Sequence, residues 1–138
     1  MPEKKTIERA QKDKAEGKAA TTQAGEFVRE EIEHIRQGKH GARSPRQAIA
    51  IGLSKARRAG VDLPQPRKGT TSEATRKSAE RDLEKGRSAK QTKPSATRSR
   101  ATIEALKRES RSAASKSALS KQAKQAAARR RARGKTTG

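Results

Sequence analysis

Residues 38–44, with the sequence GKHGARS, combine the residue types of a phosphate-binding loop: glycines, a lysine and a serine. A Walker A loop requires the order GxxxxGK[ST] after a buried strand, because the glycine-rich backbone cradles the phosphates and the lysine follows it. Here the Gly-Lys pair comes first, and no Lys-Ser or Lys-Thr pair follows. We therefore interpret the stretch as a turn between two helices. The helix start at 44–47 could still bind one DNA phosphate through its free N–H groups.

The two histidines, His34 and His40, are the other candidates for chemistry. The chain has no cysteine, which excludes disulfides and thiolate metal ligands. No pair of carboxylates is spaced around the histidines as a site, the acidic residues are predicted to lie on solvated helix faces, and the serines have no paired base. We therefore predict no enzyme, no catalytic residue, no metal and no cofactor. His34 is predicted to pack beside Phe27.

The net charge of +21 is the strongest functional signal in the sequence. Residues 69–138 carry 20 Lys and Arg against 6 Asp and Glu, whereas residues 1–68 carry 16 against 9. Such an excess of one sign predicts a polyanionic partner. Phe27 is the only aromatic residue, so the bases of a nucleic acid have no side chains to stack on. The composition therefore favours phosphate neutralisation with little base reading.

The larger apolar residues are few and fall mainly between Phe27 and Leu63. Hydrophobic residues make up 28% of the chain and charged residues 37%. With this composition, hydrophobic burial can offset the chain entropy lost on folding over only a short segment. Helical periodicity predicts one helix over 23–37 and another over 45–59. The fold is thus predicted to be all-α, with a short helical hairpin at residues 23–64 as its core module.

The second helix of this hairpin has the clearest start and stop signals. Ser44 is placed as the N-cap, Pro45 occupies the first helical position, and Gln47 completes a capping box. Gly38 and Gly60 follow the two helices at the position where a left-handed residue commonly ends a helix.

The segments on either side of the hairpin are predicted to be less ordered. Residues 1–22 are predicted to form a weak helix and a linker. Residues 65–138 are predicted to form a long basic tail with flexible linkers, partly disordered or helical. Within this tail, a capping box of Thr70 and Glu73 predicts a short helix over 72–85. Because a lone hairpin buries little apolar surface, we also predict a homodimer or partner-assisted folding.

Two segments supply the predicted contacts with nucleic acid. The exposed face of the second hairpin helix is basic, as in the recognition helix of a helix-turn-helix, although such proteins use a third helix and a shorter turn. The tail ends in the run RRRARGKTTG, which suits contact with phosphates. The residues predicted to bind nucleic acid are Arg46, Lys55, Arg57, Arg58, Lys116, Lys121, Lys124, Arg129, Arg130, Arg131 and Arg133.

Three stretches carry a resemblance to a known family: MPEKKTIERAQKDKAEGKA, then TQAGEFVREEIEHIRQGKHGARSPRQAIAIGLSKARRAGV, then a Lys/Arg/Ala tail with TKPS and RSRAT. The chain resembles a family of small basic bacterial proteins of uncharacterised function, most strongly over residues 1–70. This resemblance implies a bacterial context and no mechanism. The tail is separately similar in composition to the Ala/Lys-rich arms of linker histones and bacterial histone-like proteins.

These features favour a histone-like or nucleoid-associated protein that binds DNA without strong sequence specificity. Two alternatives stay open: an RNA- or ribosome-associated basic protein, and an adaptor that binds a protein through the acidic face of the first hairpin helix. No apolar run approaches the ~20 residues of a membrane span, and the N-terminus lacks the apolar segment of a secretory signal. We therefore expect a cytoplasmic, nucleoid-associated protein.

Overall fold

The computed structural model describes residues 3–87 and 96–136. Within these residues the chain is helical and forms no strand, which confirms the all-α prediction. A short 3₁₀ turn at Ser112–Ala114 precedes the last helix. The α-helices are α1 (Lys4–Ala15), α2 (Ala20–Arg36), α3 (Pro45–Arg58), α4 (Glu73–Arg87), α5 (Ala96–Lys107) and α6 (Lys116–Thr136). Part of the predicted linker before α5, residues 88–95 with Pro94, lies outside the described residues.

The α2–α3 hairpin forms as predicted, with the expected caps on α3. The Ser44 hydroxyl accepts a hydrogen bond from the Gln47 N–H at 3.2 Å. The Gln47 side chain reaches one residue further back than a capping box requires and accepts from the Arg43 N–H at 2.6 Å. Gly38 and Gly60 have φ angles of 80° and 103°, in the left-handed region that favours glycine.

Two predicted helix boundaries are wrong because packing extends the helices. Helix α2 begins at Ala20 rather than at 23, with Ala19 as its N-cap and no capping side chain. Helix α4 is capped by Ser72, whose hydroxyl accepts from the Thr75 N–H at 3.2 Å, whereas Thr70 donates to the Arg67 carbonyl. This helix also continues through Gly86, where a side chain would overlap the Arg57 carbonyl oxygen of α3.

The main core lies between α1, α2 and α3 and surrounds Phe27. Phe27 is 1% exposed, and its cluster of buried residues includes Ala10 from α1 and Leu63 from the segment after α3. The predicted weak helix therefore contributes to a core that we expected from the hairpin alone. The homodimer was predicted because a lone hairpin buries too little surface. Helices α1 and α4 pack on the hairpin, so the hairpin is not alone and has less need of a second subunit. The homodimer stays a prediction.

A second cluster joins the predicted tail to the hairpin. Ala113 and Ala114 are buried with Ile35 and other hairpin residues. The Gly41 N–H donates to the Leu106 carbonyl at 2.8 Å, in the turn between α2 and α3. Only glycine permits this approach, since a Cβ at position 41 would overlap the Glu109 carbonyl oxygen. Part of the tail is thus docked on the same turn that resembles a phosphate loop.

Close packing of α2 on α3 leads to a prediction about Gly52. A Cβ at this position would lie 2.6 Å from Val28 Cα and 2.9 Å from Val28 N, so the helices would have to separate. Gly52→Ala is expected to lower the free energy of unfolding by about 1–3 kcal/mol, although alanine is the better helix former. Urea denaturation measures the change.

The matched control is Gly25→Ala on the exposed face of α2, where an added Cβ meets nothing within 4 Å. This variant is expected to gain roughly 0.5–1 kcal/mol, because alanine costs less chain entropy in a helix. Equal urea midpoints for the two variants would contradict the packing of α2 on α3 described above.

Candidate nucleic-acid interface

A basic groove, which also has Asp82 in its lining, lies between α3, the segment at residues 66–82 and α6. It is open to solvent and has a volume of about 1330 Å³. Its apolar lining includes Ile49 and Leu53 of α3 and Ala126 of α6. The exposed cations along it come from three separate parts of the sequence and are Arg46, Arg67, Lys68, Arg129 and Arg130. We call these five residues the groove cations.

The groove brings together residues that were predicted from two separate segments. Arg46 is the second residue of α3, whereas Arg129 and Arg130 lie in the C-terminal half of α6, and all three line the same groove. Arg67 and Lys68 were missed because they fall in a stretch interpreted as a linker. Their two adjacent positive charges were the one feature of the sequence that could have indicated a contact with nucleic acid. None of the ion pairs formed within the described residues includes a groove cation, so these charges face solvent.

Arg57 was predicted on an exposed face, and this prediction of exposure is wrong. Its side chain is buried at the edge of the groove, where Nε donates to the Leu63 carbonyl at 3.2 Å and Nη2 donates to the Pro64 carbonyl at 2.9 Å. Burial lowers the pKa of the Arg57 guanidinium, and the nearby Asp82 carboxylate opposes that shift. The Arg57 side chain therefore ties α3 to the segment that follows it.

Lys55 and Arg58 also have carboxylate partners within the protein. Lys55 forms an ion pair with Glu31, and Arg58 Nε donates to Asp82 at 2.7 Å. Asp82 also accepts from the Ser54 hydroxyl at 2.7 Å. Part of the face of α3 that we expected to be open thus contacts α4, which carries the acidic partner of Arg58, although the Arg58 side chain stays 49% exposed.

The tail residues of the predicted site lie on α6 and are mostly exposed. Lys116 stands at the start of α6 and, with Arg36 and Arg111, borders a second hollow of about 510 Å³. Arg133 lies near the end of α6, at a position whose side chain is outside the described part of the chain. Three more predicted contacts, Lys121, Lys124 and Arg131, are exposed on the same helix.

Two carboxylates predicted to be solvated, Glu30 and Glu31, are buried. Helix α1 packs on the face of α2 that carries Glu30, and the Glu30 side chain accepts a hydrogen bond there from the Thr6 hydroxyl.

The expectation that no carboxylates surround the histidines is also wrong. His34 Nε2 lies 3.3 Å from Glu3 Oε1 and His40 Nε2 lies 3.3 Å from Glu31 Oε2. The hydrogen bond with His34 lowers the pKa of Glu3.

The fold and the groove define a small all-α protein with a solvated basic surface. None of the helices in the described part of the chain has both the length and the apolar character that a membrane crossing needs. Residues 4–68 match a protein family described as "Family of unknown function (DUF6496)", which agrees with the resemblance to an uncharacterised family. Comparison with curated proteins gives no match, and neither does comparison with solved structures.

Proposed function

We propose that this protein binds nucleic acid, with duplex DNA as the first candidate, through the phosphate backbone. The observation that carries the proposal is the convergence of the groove cations from α3, residues 67–68 and α6 on one open surface. Cations without a carboxylate partner release counterions from a polyanion when they bind it, and this release drives association. The role is one of binding rather than catalysis.

The lining of the groove supports backbone contact more than base reading. It contains no aromatic side chain among its residues, and Phe27 is buried in the core. The helix-turn-helix interpretation loses support, since Lys55, Arg57 and Arg58 all hold intramolecular partners. Arg46, near the N-terminus of α3, stays available for a phosphate. Weak sequence specificity, as in a histone-like or nucleoid-associated protein, follows from this arrangement.

RNA presents the same phosphates and is the alternative partner, either free or in a ribosome. The adaptor hypothesis has less support, because it relied on an acidic face of α2 that is partly covered. Glu30 of this face is 3% exposed, so its carboxylate is not available to an external protein.

A salt titration tests the proposal. The groove cations together with the exposed cations of α6 are expected to neutralise about ten phosphates, so log K should fall with log salt at a slope near −9 for duplex DNA. Filter binding with duplex DNA and with structured RNA, at matched salt, measures the slope and the preferred polymer. A slope near zero for both polymers contradicts nucleic-acid binding, and tighter binding to RNA at every salt concentration selects the alternative.

A further inference from the structure

Glu31, His34 and His40 form a compact group of metal-ligating side chains next to the α2–α3 turn. One donor atom from each residue lies within 4.8 Å of the other two. Glu31 and His34 stand one turn apart on α2, and His40 follows in the turn. Glu31 is 1% and His40 6% exposed, so this group is set inside the fold. It lies outside the basic groove.

The hydrogen bonds of His40 fix which of its nitrogens faces the group. His40 Nδ1 lies 2.9 Å from the Gly41 carbonyl oxygen. A carbonyl oxygen only accepts, so Nδ1 carries the proton, and in a neutral ring Nε2 then carries a lone pair. That lone pair faces Glu31 Oε2 at 3.3 Å. Both atoms can therefore serve as ligands of one metal ion.

The spacing of these two atoms is compatible with a bound metal ion. Two ligands of a tetrahedral zinc with bonds of about 2.0–2.1 Å stand about 3.3–3.4 Å apart, which agrees with the 3.3 Å between His40 Nε2 and Glu31 Oε2.

The outer contacts of the group also resemble those of a metal site. The second nitrogen of His40 donates to a backbone carbonyl, which is how ligating histidines are commonly held. The other oxygen of Glu31 is paired with Lys55, which leaves Oε2 facing His40.

A second, independent observation comes from the adjoining carboxylate. Glu3, Glu30 and His34 form another group of potential ligands that shares His34 with the first. Glu30 is 3% exposed, and among the described residues its Oε2 atom has no hydrogen-bond partner. A buried carboxylate oxygen without a partner is costly, since it has lost its water. A cation held at His34 would offset part of this cost.

We propose that Glu31, His34 and His40 bind a divalent transition-metal ion of the zinc class. Two imidazoles and one carboxylate suit Zn²⁺, Ni²⁺ or Co²⁺, whereas Mg²⁺ and Ca²⁺ prefer oxygen ligands alone. The ion reaches the group past His34, whose side chain is 14% exposed. Bound there, it ties α2 to the turn on which the Leu106 carbonyl docks. The ion thus acts as a structural clip within the fold.

Metal titration of the full chain, prepared without a histidine tag and freed of metal by a chelator, tests the proposal. Calorimetry is expected to show one saturable Zn²⁺ site per chain, and Co²⁺ is expected to give the visible absorption of a four- or five-coordinate ion. Mg²⁺ is expected to produce no heat of binding. His40→Gln and Glu31→Gln should each weaken Zn²⁺ binding by at least about 10- to 100-fold. Loss of a residue that only holds a metal ligand in place already has an effect of this size.

Glu33→Gln is the matched control, because Glu33 lies on the same helix but pairs with the exposed Arg29. This variant should bind Zn²⁺ like the unmodified chain. Circular dichroism shows whether His40→Gln and Glu31→Gln still fold, and His34→Gln provides a third ligand variant in the more exposed position. Absence of a saturable site in the unmodified chain overturns the proposal, as does equal affinity in Glu33→Gln and in a folded ligand variant.

Discussion

Truncating Phe27 to alanine is expected to lower the free energy of unfolding by about 3–5 kcal/mol, the usual cost of removing a buried phenylalanine. Phe27 is 1% exposed, and three of the buried residues in its cluster are alanines, Ala10, Ala24 and Ala56. Small side chains cannot move in to fill the space left behind. The expected cost therefore lies toward the upper end of the range, which is a large share of the stability of a small domain.

Urea denaturation followed by circular dichroism measures this effect. Ile103→Ala serves as the control, because Ile103 is 41% exposed on α5 and its truncation is expected to change stability by no more than about 0.5 kcal/mol. A Phe27→Ala variant with the midpoint of the unmodified chain would show that the α1–α2–α3 core is not the main source of stability.

The parts of the fold that were predictable depend on local chemistry. The cap at Ser44, the proline at the start of α3 and the glycines after α2 and α3 act within a few residues. Their effects are therefore readable from adjacent positions in the sequence. The burial of Phe27 was predictable as well, because Phe27 is the only large aromatic side chain and lies on the apolar stripe of an amphipathic helix.

The parts that were not predictable depend on which face of a helix a third helix covers. Periodicity placed Glu30 opposite the apolar stripe of α2, and that would be the solvent side of an isolated hairpin. Helix α1 packs there instead, and its Thr6 hydroxyl supplies a hydrogen bond. Similarly, Arg58 would lack this partner in a lone hairpin but pairs with Asp82 once α4 docks. Polar helices with weak apolar stripes gave no sign of this packing.

The candidate site was predictable as a set of charges but not as a surface. Arg46 and Arg129 stand 83 positions apart in the sequence, and only the packing of α6 on α3 places them along one groove. The carboxylates around His34 and His40 were missed for the same reason. The carboxylates and the histidines come close together only where α1 and the α2–α3 turn pack on α2, and no short sequence motif indicates this packing.

Removing positive charge from the groove is expected to weaken duplex DNA binding roughly four-thousandfold at about 0.1 M salt. The variant replaces four groove cations by glutamine: Arg46, Arg67, Arg129 and Arg130. Each lost phosphate contact removes about 0.9 from the salt slope and about 0.9 log unit of affinity at this salt concentration. Glutamine has a helix propensity close to that of arginine, so α3 and α6 are expected to persist. Filter binding across a salt series measures affinity and slope together.

A control with the same loss of charge separates the groove from general electrostatics. Lys4, Arg9, Lys12 and Lys14 are exposed on α1, which packs on α2 and contributes no residue to the groove. Replacing these four by glutamine lowers the net charge of +21 by the same amount. Because exposed charges beyond a Debye length of about 10 Å are largely screened, the α1 variant should keep most of its affinity and nearly all of its slope. If both variants lose affinity equally, net charge alone drives binding, and the groove has no special role in it.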